Sequence, residues 1–240
     1  MNNQTVLNKI RKELKQHVDF KYRKGSINFF KEKIKVHGVR SGIVRKIGKK
    51  YWKDVKDKFV EEIFTLCEQL LKSDYNEEST IAFSWAMNCR PRFEKKHFFV
   101  FESWVKKYVN NWAKCDDFCT HAFNRLLLKY PEFYSNVKKW TKSKNRWMRR
   151  AAAVIHISTE KQFYSSKNLK HIFEIADILL MDSDDLVQKG YGWMLKVASN
   201  HYQKQVFDYV MKNKKTMPRT ALRYAIEKMP KGLKKKAMAK

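Results

Sequence analysis

Glycine is scarce in this chain: there are seven among 240 residues, and none between Gly48 and Gly190. That interval therefore holds no Gly-rich phosphate loop or dinucleotide fingerprint, both of which need residues without a side chain where backbone meets phosphate. It also lacks the Gly-based tight turns of β-hairpins, which argues against an antiparallel β fold. Proline is limited to four residues and cysteine to four, Cys67, Cys89, Cys115 and Cys119. Four cysteines do not form a disulfide framework in a chain this long. No secretory leader and no apolar run near membrane-spanning length can be read, so a reduced cytoplasmic setting without a membrane is expected. Acidic residues are also in deficit, 24 against 52 Lys plus Arg, for a net charge of +28. An excess of that size concentrates polyanions around a protein and points to nucleic acid as partner, although solvated lysines alone could account for it.

What the chain does have is material for a core, with 43% hydrophobic and 14% aromatic residues. Nearly all of it is spaced for helices. Val55, Phe59, Val60, Ile63, Phe64, Cys67, Leu70 and Leu71 form one apolar stripe with lysines and glutamates opposite. Comparable stripes run over 6–18, 27–36, 79–88, 97–112, 118–129, 147–157, 169–181, 186–198, 206–211 and 221–229. Polar breaks with capping chemistry separate them. Asn76 precedes one helix, Asp116 or Asp117 is placed to cap the next, Asn145 another, and a cap is expected within 182–185. Pro91, Pro131 and Pro218 fall near helix starts, where a missing N–H costs little.

The starts of alternate helices, near Ser79, Asp116, Arg146, Leu186 and Thr220, recur at intervals of 30 to 40 residues. That is the repeat of stacked helical hairpins, in which each pair buries its face against its neighbours. The expectation is an all-α, HEAT-like helical-repeat solenoid of antiparallel pairs with a concave basic face. It occupies residues 1–240 as one monomeric domain with a frayed lysine-rich tail at 231–240. A globular helical bundle would also satisfy the periodicity.

Three segments could carry chemistry. In the first, Trp112 closes one long helix and Asp116 opens the next; core packing and N-capping would explain both residues. In the second, Arg146, Arg149 and Arg150 crowd the start of a helix rich in alanine. Cations there oppose the helix dipole, so acidic neighbours or a bound phosphate must compensate. In the third, Gly190 and Gly192 sit inside a helical pattern beside Lys189 and Trp193. Each glycine costs about 1 kcal/mol relative to alanine, which implies close packing or ligand approach. Cys115, Cys119 and His121 hint at a metal, but no second ligand pair accompanies them, so none is expected.

In order and spacing, the Trp112…Asp116 segment, Trp147-Met148-Arg149-Arg150-Ala151-Ala152, Gln188-Lys189-Gly190-Tyr191-Gly192-Trp193 and Arg219-Thr220-Ala221-Leu222-Arg223-Tyr224-Ala225 resemble the AlkD family of alkylpurine DNA glycosylases over residues 25–230. The resemblance implies a HEAT-like cradle for duplex DNA. It also implies excision of positively charged bases such as 3-methyladenine and 7-methylguanine, without metal or nucleotide cofactor and with the damaged base left stacked. Matched residue by residue, it assigns the catalytic carboxylate to Asp116, the aromatic partners to Trp112 and Trp193, and the arginine at the lesion to Arg150. Two positions depart from the family pattern. Asn111 stands where a second tryptophan is common, and Phe29 where a tyrosine is found.

The mechanism these residues permit is electrostatic. A purine alkylated at N3 or N7 is already cationic and leaves easily, so the protein must stabilise the oxocarbenium-like sugar and place a water. A shielded carboxylate between indole faces suits that task. Arg149, Arg146, Lys189, Arg45 and Lys46 are expected to grip the DNA backbone. A non-catalytic binder of duplex or branched DNA on the same scaffold would explain the charge equally well, and a protein-binding helical repeat is a third reading.

Overall fold

A computed structural model describes residues 3–158 and 166–239. Its class is the expected one, all-α and of the helical-repeat type. Among the described residues, extended pairing is limited to one isolated bridge between Lys35 and Tyr75. Two compact units are distinguished, residues 1–126 and 127–240.

In the first unit α1 (Asn3–Gln16), α3 (Ser41–Trp52) and α4 (Val60–Leu71) follow their stripes, burying Val6, Leu7, Ile10 and Leu14 from α1 and seven residues, Val60 to Leu71, from α4. Val55 is buried in the turn before α4 rather than in the helix itself. α5 (Asn76–Asn88) packs against both α3 and α4. α3 and α5 are joined at Gly48, whose carbonyl accepts from the Trp85 indole at 2.9 Å. The start of α5 is anchored in a way its sequence conceals. Glu77 is buried, and its carboxylate accepts the N–H groups of His37, Gly38 and Val39 at 3.0, 2.7 and 3.1 Å. A charged group taken from water is tolerated because those three donors replace its hydration. By contrast α2 (Phe20–Phe29) has no fully buried residue. Asp19 caps it by accepting from Tyr22 N and is itself gripped by Arg40 at 2.9 Å.

α6 (His97–Tyr108) ends earlier than the stripe to Trp112 suggests, and Trp112 opens α7 (Trp112–Phe118). The N-cap is Asn111, whose side chain accepts from Lys114 N at 3.0 Å. Asp116 and Asp117 therefore lie inside α7, and neither caps it. The expectation failed because the stripe runs on across an extended break at Val109–Asn111 that its periodicity does not reveal. α7 continues through a π turn (Cys119–Phe123) into α8 (Asn124–Lys129).

In the second unit α9 (Tyr134–Trp140) is a helix whose seven residues were too few to show a stripe. α10 (Arg146–Val154) and α12 (Asp185–Ala198) begin where capping chemistry placed them. Asn145 accepts from Trp147 N and Asp184 from Leu186 N, each at 2.9 Å. α12 packs on α10, on α11 (Ser166–Ile178), on α13 (Gln203–Asn213) and on α14 (Arg219–Ala225). The lysine-rich tail is not frayed: α15 (Lys231–Met238) is a helix that packs on α13 and buries Ala237. Lys214 donates to the Ala239 carbonyl at 2.9 Å and helps to hold it. Lys240 lies outside the described residues.

The helices α3, α5, α7, α10, α12 and α14 start at residues 41, 76, 112, 146, 185 and 219, a repeat of 34 to 39 residues. α3–α5–α7 pack in succession within the first unit and α10–α12–α14 within the second, as a stacked repeat requires.

Candidate functional site

The first unit contributes α7. Its Cys115 and Phe118 are fully buried, with Phe118 stacked on Phe83 at 4.6 Å between ring centroids and beside Trp104 and Phe101. That anchoring turns Trp112 and Asp116, four residues apart and hence on one face, toward the half-exposed side of the helix. Trp112 is held by rings: Phe30 stacks on it at 5.0 Å and 13°, and Phe29 meets it edge-on at 5.8 Å. Phe29, which stands where the family has a tyrosine, thus meets the indole edge-on, while Phe30, which the sequence did not single out, stacks on it.

Asn111 departs from the family pattern for a structural reason. Completely buried, it caps α7 and donates to Asn76 Oδ1 at 3.0 Å, tying α7 to the start of α5. Lys114 adds a second tie. Its ammonium is 2.6 Å from Asp74 Oδ1 and 3.0 Å from the Asp74 carbonyl. Burial pushes that ammonium below its ordinary pKa against the pull of Asp74.

The two carboxylates of α7 occupy different surroundings. Burial pushes the Asp117 carboxyl up from its usual range and the neighbouring charge of Asp116 adds to that. His121, Arg45 and a hydrogen bond from Thr80 act in the opposite sense. Asp117 therefore faces α5 and α3, and exposed Arg45 lies within electrostatic reach of it, with Lys46 exposed beside Arg45. The π turn follows at once. Thr120 donates to the Asp116 carbonyl at 2.8 Å, and His121 Nδ1, which must carry its proton here, donates to the Asp117 carbonyl at 2.8 Å. Such turns satisfy their carbonyls irregularly and recur at functional positions. Nothing in Cys119-Thr120-His121-Ala122-Phe123 announces one.

The second unit contributes α10 and α12. The compensation demanded by cations at the start of α10 comes from acids on the segment before α12. Arg146 pairs with Asp184 at 3.0 Å and Arg149 with Asp182 at 2.7 Å. Arg149 also donates to the carbonyls of Ser143 and Lys144, and Arg146 lies over the Trp147 ring at 5.0 Å. Arg150 is 5% exposed and donates through Nη1 to the Leu186 carbonyl.

Both glycines of α12 have the packing role their cost implied. A Cβ at Gly190 would come within 3.3 Å of Arg150 Cγ, so the glycine makes room for that side chain. A Cβ at Gly192 would lie 2.7 Å from Tyr224 Cβ and 2.8 Å from the Ala221 carbonyl, contacts that real side chains do not make. Trp193 follows, half-buried, on the same face of α12 as Lys189, which pairs with Asp185 at 3.0 Å. All four cysteines are free and buried, and among the described residues no cluster of His, Cys, Asp and Glu could hold a metal ion.

Comparison with known proteins gives this arrangement a class. The family model for DNA alkylation repair enzymes matches residues 10–229, and the chain belongs to that family. Among solved structures, one described as a predicted DNA alkylation repair enzyme from Enterococcus faecalis superposes with a TM-score of 0.78. It shares 16% identity over 90% of this chain and 98% of that one, a likeness of fold. Comparison with curated proteins gives no match. No helix among the described residues is long and apolar enough to cross a membrane.

Proposed function

We propose that this protein, a member of a DNA alkylation repair family, is a monofunctional DNA glycosylase that hydrolyses the N-glycosidic bond of positively charged alkylated purines in duplex DNA. Its substrates are 3-methyladenine and 7-methylguanine. The observation that carries the reading is the pairing of Trp112 and Asp116 on one half-exposed face of α7, in a chain of net charge +28. A scaffold that only grips phosphate gains nothing from a carboxylate on that face.

In this mechanism Asp116 stabilises the cationic sugar as the base departs and orients the attacking water. The Trp112 indole, its ring fixed by Phe30, offers a π face to the same charge. Trp193 supplies a second indole, and Arg150 a guanidinium for the phosphate next to the lesion. Arg149, Arg146, Lys189, Arg45 and Lys46 act on the DNA backbone. No metal or nucleotide is needed, because the leaving base already carries its charge. The protein works as a monomer and in the cytoplasm.

The test is release of methylated bases from alkylated duplex. Wild type is expected to free both purines, and Asp116→Asn to lose about 100- to 1000-fold in single-turnover rate with DNA affinity retained. A wild type that binds the duplex and frees neither base would leave the non-catalytic binder as the reading.

A further inference from the structure

The second unit contains a cationic cleft that the reaction chemistry does not use. On α12, Lys189, Trp193 and Lys196 share one face at i, i+4 and i+7. The close approach of α14 at Gly192 brings Arg219 and Arg223, themselves one turn apart, beside that face. Lys189, Arg219, Thr220, Arg223, Tyr224 and Glu227 line an open cleft of about 410 Å³.

Its charges are unbalanced. Glu227, the acid on the rim, is engaged by Lys196 at 3.0 Å. Lys189 is steadied by Asp185, and Arg219 reaches only the Met238 carbonyl at 3.5 Å. Arg223 is exposed and has neither an ion-pair nor a hydrogen-bond partner among the described residues. Elsewhere in the same unit the crowded arginines Arg146 and Arg149 each have an aspartate. Here the fold sets two guanidinium groups around a hollow that also holds a hydroxyl and a phenol, and both nearby acids, Asp185 and Glu227, are taken by lysines, so neither arginine has an ion-pair partner among the described residues. Like charges so placed repel, and the repulsion is relieved by a multivalent oxyanion that accepts from several donors at once.

We propose that this cleft binds a backbone phosphodiester of the DNA duplex, held by Arg219 and Arg223 with Lys189 at the edge nearest Trp193. Where the glycosylase reading holds, the phosphate belongs to the stretch of strand flanking the nucleotide whose sugar meets Trp193. The contact reads charge and not sequence, so it positions the strand equally on damaged and undamaged duplex.

The experiment measures duplex affinity against salt for wild type, Arg219→Gln, Arg223→Gln and the double variant, with undamaged and alkylated DNA. Each single variant is expected to bind about fivefold more weakly on both duplexes and to lower the slope of log K against log salt by about one. A scan with single methylphosphonate linkages completes it. Wild type should lose affinity at one linkage to which the double variant is indifferent. An unchanged slope and an unchanged scan would overturn the proposal, whatever the outcome of the base-release assay. A wild type inactive in base release, with slopes that still fall in the variants, would remove the glycosylase reading and leave the phosphate site standing. The third arm is a thermal shift with inorganic phosphate. A shift lost in the variants while their DNA slopes stay unchanged would assign the cleft to a free anion and overturn the duplex assignment.

Discussion

The two units position their tryptophans by opposite means. In residues 1–126, Trp112 is held by added bulk: Phe30 stacks on it, Phe29 closes its edge, and α7 beneath is wedged by Phe83, Phe101 and Trp104 against Phe118. In residues 127–240, the helix carrying Trp193 is positioned by bulk withheld. Gly190 admits Arg150, and Gly192 brings α12 into backbone contact with α14. Charge follows the same division. The first unit buries two acids at the start of α5, Glu77 and Glu78, and sets two more in α7, whereas the second crowds arginines onto α10 and neutralises two of them with Asp182 and Asp184. Ring stacking tolerates small adjustments, because an aromatic pair has a broad minimum. A backbone-to-backbone contact does not, because nothing there can rotate away.

The sharpest way to break this comparison is to restore bulk in the second unit. Gly192→Ala would push α14 off α12, and a loss of about 1–3 kcal/mol in urea or thermal unfolding is expected. Phe30→Ala in the first unit removes a half-exposed ring and should cost less, about 1 kcal/mol, with a shift in tryptophan emission as Trp112 gains water. Equal losses from the two substitutions would show that the contrast between rigid and forgiving supports is not real.

Acid should also strain the second unit through one buried ring. His156 is buried beside Tyr134, 5.5 Å from its ring, and burial, with the charge of His171 adding to it, holds the imidazole at about 3. The folded protein thus binds this proton far less readily than the unfolded chain does. Stability from the neutral ring is complete above the unfolded value near 6.5 and is lost as pH falls toward about 3. About 2 kcal/mol should disappear between pH 7 and pH 5. In His156→Leu that slope should flatten, and denaturant melts of the variant that keep the full slope would move its origin to other groups.

The smallest effect is expected at Gly25 inside α2, where an added Cβ meets nothing within 4 Å. Gly25→Ala should stabilise by about 0.5–1 kcal/mol through helix propensity alone, the opposite sign to Gly192→Ala. A destabilised Gly25→Ala would mean that the space around that position is not open.

Much of the fold was legible because its signals are local. The apolar spacing of α4 and α12 and the caps at Asn145 and Asp184 each depend on neighbours within a turn or two, and the repeat of about 35 residues is the sum of such local starts. The cost of two helical glycines pointed to close packing or a ligand, and the arginines of α10 to acids or a phosphate; packing and acids are what the structure shows. The boundary at Trp112 was not legible. A hydrophobic stripe crossed it unbroken, and the residue that caps α7 stands where a related tryptophan would have looked more informative. Nor was the π turn, whose side chains differ in nothing from those of an ordinary helix.

The amino-acid order alone determined that this protein is helical, repetitive, basic and free of glycine-built loops between Gly48 and Gly190, because helix periodicity, capping and net charge are properties of short stretches or of simple sums. Only the tertiary structure decided that Asp117 faces Thr80 and Arg45, that Phe30 lies flat on Trp112, and that Arg219 and Arg223 border a cleft whose acid, Glu227, is taken by Lys196. Those facts depend on which distant residue fills the space opposite, and that is settled when helices pack and not before.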